Sequence, residues 1–164
     1  MEYVLATRNR RKLAELEAIL RTFVSDRGKF TLLSLDDIGV TEDIVEDGKT
    51  FEENAILKAS AAASRGYWGI ADDSGLCVDE LGGEPGIWSA RYAAINGFDA
   101  GLSADGNNNV FLLEKLKGVP LERRTAKFVC VIAVCPPFGN ADPITVRGEC
   151  PGIILKPRAA PADL

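Results

Sequence analysis

The chain has 164 residues, enough for one domain with a real hydrophobic core. A net charge of −5 argues against a general nucleic-acid binder, which needs a basic face, and no apolar run approaches the length of a membrane span. Histidine is absent, so acid–base chemistry falls to carboxylates, lysines or metal-bound water.

Tyr3-Val4-Leu5-Ala6 reads as a short buried strand. The basic stretch Thr7-Arg8-Asn9-Arg10-Arg11-Lys12 follows, the reverse of the order found in a secretion signal. A helix comes next, with Leu13, Leu16, Ile19 and Leu20 at helical spacing. Free backbone N–H groups at a helix start bind anions, and Thr7, Asn9 and Lys12 add donors and charge. The turn lacks the glycines of a P-loop, and a capped helix with solvated arginines reads equally well.

Residues 31–40 alternate and predict a short strand, followed by the acidic loop Glu42–Gly48. Thr50-Phe51-Glu52-Glu53 matches a capping box, with Thr50 as N-cap and Glu53 reaching back. It opens a helix to about Arg65 on which Asn54 and Lys58 share a face. Lys58 is either solvated or reaches a phosphate, and Glu46 is a candidate metal ligand from the loop.

Ala71-Asp72-Asp73-Ser74-Gly75-Leu76 sits between two apolar runs, and Ser74-Gly75 predicts a strand end or tight turn. Adjacent carboxylates repel unless a cation is near, and a divalent metal with hard oxygen ligands answers that need. An acidic surface turn is the plainer reading. Further on, Arg91 has three candidate partners: a phosphate, a dimer mate or a structural ion pair. A helix is expected over Asn107–Leu116 with Val110, Leu113 and Leu116 on one face. Thr125–Cys135 reads as a long apolar strand and Ile144–Glu149 as its hairpin partner. Both are expected in a second lobe and dimer region. Cys77, Cys130, Cys135 and Cys150 form no C-x-x-C pair, which argues against zinc. Three have apolar, strand-like neighbours, so buried free thiols in a reducing cytoplasm are expected.

Four stretches carry a resemblance: Leu5-Ala6-Thr7-x-Asn9-x-x-Lys12, Thr50-Phe51-x-Glu53-Asn54-Ala55-x-x-Lys58-Ala59, Ala71 through Leu76, and Pro85-Gly86-Ile87-x-Ser89-Ala90-Arg91-Tyr92. In this order, from residue 3 to about 157, they resemble the inosine/xanthosine triphosphate pyrophosphatase family. Maf-type pyrophosphatases, which share the fold, fit the second and third stretches less well. The resemblance implies a single α/β domain over residues 1–164. It would have two lobes, a long mixed sheet flanked by helices, and a central active-site cleft. It implies a cytoplasmic homodimer that binds neither nucleic acid nor membrane. With Mg2+ it would split ITP, dITP or XTP into the monophosphate and pyrophosphate, clearing these nucleotides from the pool. By the same resemblance Thr7, Arg8, Asn9, Arg10, Arg11 and Lys12 hold the triphosphate, and Lys58 and Ser74 contact substrate. Glu46 and Asp73 bind metal, and Asp73 accepts the proton.

After Arg158 the resemblance stops. The family continues with a Gly-rich turn into Phe-Gly-Tyr-Asp-Pro and later Ser-His-Arg before a last helix. This chain reads Ala159-Ala160-Pro161-Ala162-Asp163-Leu164. The codons GCG GCA CCG GCG GAT TTG would encode those residues and, two bases on, Gly-Thr-Gly-Gly-Phe. A frameshift near codon 159 is therefore expected. By the resemblance the lost segment carries most of the base pocket, so weaker base selectivity and exposed apolar surface are expected. The alternative to an active enzyme is an impaired remnant that binds nucleotide or dimerises without turnover.

Overall fold

Short apolar runs separated by polar turns give strands, and alanine- and leucine-rich stretches give helices. A computed structural model describes residues 2–7, 10–23 and 31–156. Its main elements are β1 (Glu2–Leu5), α1 (Arg10–Phe23), β2 (Thr31–Ser34), α2 (Phe51–Ala63), β3 (Trp68–Val78), α3 (Tyr92–Ile95), α4 (Ala104–Lys115), β4 (Thr125–Cys135) and β5 (Ile144–Ile153). They form the expected mixed α/β arrangement around one five-stranded sheet, in the order β2-β1-β3-β4-β5. The expected frameshift near residue 159 lies outside the described residues.

β1 pairs parallel with β2 and with β3, Val4 standing opposite Leu33 and Gly69. Residues 136–143 between β4 and β5 are too few for a parallel crossover. The Ile154 amide donates to the Arg124 carbonyl at 2.9 Å, and Lys127 meets Glu149 at 2.8 Å. Numbers fall on one strand as they rise on the other, so this hairpin is antiparallel and the sheet mixed.

The chain divides into two compact units, residues 1–73 with 130–147 and residues 74–129 with 148–164. β4 and β5 each contribute residues to both units and are not confined to one.

In the first unit Val4 and Leu5 of β1 are covered on opposite faces of the sheet. Leu5, Leu32 and Ile70 pack with Leu13 and Leu16 of α1. Val4, Leu35 and Val40 pack with Ala62 of α2. The period-two alternation of β1 thus feeds two cores. α2 buries alanines at 55, 59, 62 and 63, which lets it lie close on β3. A Cβ on Gly69 would fall 1.9 Å from the Ala59 carbonyl oxygen, so only glycine permits this approach. The Thr50 side chain caps α2 by accepting from the Glu53 amide at 3.1 Å. Glu53 reaches back one residue further than expected, to the Lys49 amide.

The second unit has its own core of Val78, Tyr92, Leu112, Leu116 and Ala126. Of the expected face Val110, Leu113 and Leu116, Leu116 enters this core, and Leu112, one turn earlier, stands in place of Val110 and Leu113. Phe111 stands between Tyr92 and Phe98, its ring 5.0 Å from each. Arg124 is buried and donates to the Leu116 carbonyl, which α4 leaves open at its end, and to the Val119 carbonyl just beyond the helix.

All four cysteines carry free thiols. Burial holds for Cys135 alone; Cys130 and Cys150 are exposed because they point to uncovered sides of β4 and β5. All of β5 is exposed, apolar Ile144, Val146 and Ile153 included. Among the described residues no helix is long and apolar enough to cross a membrane.

Candidate active site

The chemistry is set by β3. The turn expected within residues 71–76 is absent, and the strand runs without a break from Trp68 to Val78. Ser-Gly favours a turn locally, but β3 lies inside the sheet: β1 pairs with it as far as Ile70, and β4 is its neighbour on the other side. Asp72 and Asp73 are therefore consecutive strand residues, and the pleat sends them to opposite faces. On the α1 face, Lys12 Nζ donates to Asp72 Oδ2 at 2.9 Å. On the α2 face, Lys58 Nζ donates to Asp73 Oδ1 at 2.9 Å. The repulsion implied by adjacency is relieved by separation and by one lysine for each carboxylate. The two aspartates do not converge on one cation, as a shared metal site between them would require.

Around Asp73 a second carboxylate does converge. Glu46 Oε2 accepts from the same Lys58 ammonium at 3.3 Å. The loop that carries Glu46 is fastened at Gly48, whose N–H donates to Asn54 Oδ1 at 2.9 Å. The other end of that amide, Asn54 Nδ2, lies 3.4 Å from Asp73 Oδ2. Asp73 and Asn54 are both buried polar groups, and Asn54 is only 1% exposed. Glu46, Asn54, Lys58 and Asp73 thus form one hydrogen-bonded cluster between the acidic loop, α2 and β3.

On the α1 face a cavity of about 220 Å³ lies beside the Lys12–Asp72 pair, walled by Leu5, Leu16, Ile19, Ile70, Cys130 and Ile132. Burial pushes the Cys130 thiol pKa up, and the Asp72 and Asp73 charges push it further, against the opposing pull of Lys12 and Lys58. Ser34 donates from both its hydroxyl and its amide to Asp37, which holds the Asp37 carboxyl below its usual range.

The other expected contacts are placed as follows. Thr7 stands just past β1, its amide donating to the Leu5 carbonyl at 2.7 Å. Arg8 and Asn9 lie outside the described residues. Arg10 and Arg11 are exposed at the start of α1, and Arg10 comes within 3.7 Å of Asp37. Ser74 is exposed on β3. Glu46, Lys58 and Asp73 are brought together, whereas Lys12 is set with Asp72 on the opposite face. Arg91 stacks over the Trp88 ring at 4.7 Å. The bridging role of Asn54 was not foreseen; its i, i+4 relation to Lys58 was the available signal.

The donor set suits a hard divalent cation. Glu46 and Asp73 already point carboxylate oxygens at one positive atom, the Lys58 ammonium. A phosphate-chelated magnesium takes one or two carboxylates and fills its remaining positions with water and phosphate oxygens.

The family model described as the Ham1 family matches residues 3–162. A dITP/XTP pyrophosphatase of Geobacter sulfurreducens is 50% identical over 153 residues, 93% of this chain and 70% of that protein. One of Nitratidesulfovibrio vulgaris is 50% identical over 138 residues, 84% of this chain and 64% of that protein. Among solved structures, a HAM1 protein from Coxiella burnetii superposes with a TM-score of 0.81 at 34% identity, covering 99% of this chain and 77% of its own. A nucleoside-triphosphatase, dITP/XTP pyrophosphatase, from Mycobacterium abscessus gives 0.77 at 35% identity, covering 94% and 74%. Alike in sequence and in fold along nearly its whole length, this chain belongs to the Ham1 family.

Proposed function

We propose that this chain is a nucleoside triphosphate pyrophosphatase that hydrolyses non-standard purine nucleotides, namely ITP, dITP and XTP, to the monophosphate and pyrophosphate. The observation that carries the reading is the convergence of Glu46 and Asp73 on one cationic position. It occurs in a chain half-identical to a dITP/XTP pyrophosphatase.

The reaction adds one water across the anhydride between the α and β phosphates. A triphosphate brings several negative charges, so positioning and charge neutralisation supply most of the acceleration. In this reading Mg2+ is held by Glu46 and Asp73. When bound, it neutralises phosphate charge and polarises the phosphoryl oxygens. Lys58 gives a second cation at the same place. Its ammonium turns from the two carboxylates toward phosphate oxygens, a short rotation for a flexible stem. Thr7, Arg8, Asn9, Arg10, Arg11 and Lys12 grip the triphosphate at the start of α1, where free N–H groups add to the basic side chains. Ser74 contacts substrate from β3. Asp73 orients the attacking water and takes its proton. The protein works as a homodimer in a reducing cytoplasm, a location consistent with its four free thiols.

The test is pyrophosphate release from ITP and from ATP with Mg2+, comparing this chain with Asp73→Asn. Release that favours ITP and falls by about 10²–10⁴-fold in the variant is expected for loss of a general base. An Asp73→Asn protein with full turnover refutes the assignment. A folded chain that melts later with ITP yet releases no pyrophosphate indicates binding without turnover.

A further inference from the structure

We propose that Asn54 is a positioning residue that sets the spacing of Glu46 and Asp73. The inference rests on the reading of the site given above. Asn54 is the one polar side chain of α2 that is wholly enclosed, on a face otherwise built of Phe51 and alanines. An amide in such a place costs free energy unless both of its ends are bonded. Here both ends are used, and in a fixed sense. The Gly48 N–H can only donate, so it takes the carbonyl oxygen. The Asp73 carboxylate can only accept, so it takes the NH2. Aspartate at this position would lack the donor, and glutamine would be too long.

The two bonds have separate consequences. Asp73 presents Oδ1 to Lys58 and Oδ2 to Asn54, two residues one turn apart on the same helix. Its carboxylate plane is therefore fixed from one rigid element. Gly48 lies two residues after Glu46, so the bond to Gly48 anchors the loop at the point where Glu46 leaves it. A Cβ on Gly48 would stand 2.6 Å from Asn54 Oδ1 and 3.0 Å from Asn54 N, so the loop already approaches as closely as a bare backbone allows. One side chain thus ties together two acidic groups that are 27 positions apart in the sequence.

The test uses the full chain with Asn54→Asp and Asn54→Ser, and Asp73→Asn alongside. Turnover of ITP, binding of Mn2+ alone by calorimetry, and thermal melting are measured on each. Asn54→Asp keeps the acceptor for Gly48, removes the donor to Asp73, and holds its shape. Its kcat falls about 10–100-fold, the usual cost of losing a partner that orients a metal ligand, and melting falls as well, because two carboxylates then face each other in a buried place. Asn54→Ser loses both bonds and weakens Mn2+ binding about 10-fold or more. A merely structural asparagine would lower melting and leave kcat and Mn2+ affinity as they were, and that result overturns the proposal. If Asp73→Asn is fully active, the assignment of the site fails, whatever Asn54 does. Nuclear magnetic resonance on the unmodified chain covers variants that do not fold. The Asn54 side-chain amide signals shift on Mg2+ addition, and unmoved signals overturn the proposal.

Discussion

At the scale of single residues, β3 turns sequence adjacency into spatial separation. Asp72 and Asp73 each meet one lysine, contributed by different helices. Cys130 is the thiol that feels all four charges. Its raised pKa means the neutral form is favoured, so at pH 7–8 it stays protonated despite its exposure. We expect alkylation of Cys130 by iodoacetamide to be slower at pH 8 than that of a small free thiol. The rate should climb with pH through a midpoint above the ordinary value of about 8.5. Mass spectrometry of the labelled peptide against pH measures this, and a midpoint below that value contradicts the electrostatic account. The lysine and the two acids that form the cluster were legible in the sequence as motif residues. The bonds of Asn54 were not, because its partners Gly48 and Asp73 stand 6 and 19 positions away in opposite directions. No local pattern records such a meeting.

At the scale of elements, the helix α2 and the strand β3 fit by the removal of side chains. Gly69 and Ala59 touch where any larger pair would collide. Gly69→Ala should lower stability by about 1–3 kcal/mol or more, since the added methyl meets backbone and not a yielding side chain. Denaturant melts of the two proteins test this, and an unchanged midpoint would show that α2 can shift away freely. Local signals read well where local physics decides. The Thr50 cap appears at its expected place, and β4 spans Thr125–Cys135 as its apolar run suggests. They misread residues 71–76, where Ser-Gly turn chemistry is outweighed by pairing in the middle of a sheet. The core face of α4 was also displaced, because Leu112 and not Leu113 meets Tyr92 and Ala126.

At the scale of the whole molecule, protection is uneven across the sheet. β1 is buried on both faces and bonded on both edges. β5 is an edge strand exposed along its full length. Hydrogen exchange should accordingly be slowest for amides of β1 and the first half of β3 and fastest, among strand amides, in β5. Equal protection of β5 and β1 in native-state exchange would mean that the edge is covered in solution, and the exposed Ile144, Val146 and Ile153 would be the residues to examine.

The alternation of β3 also fixes how the gene can change. Loss or gain of one codon between Trp68 and Ala71 would rotate every later side chain of the strand to the other face. Each aspartate would then face the other's lysine, and Ile70 and Ala71 would exchange cores. Point substitutions in this segment can be graded in effect, but a single-residue indel displaces both carboxylates from their lysines at once. Length therefore constrains the site here more than identity does at most of its positions.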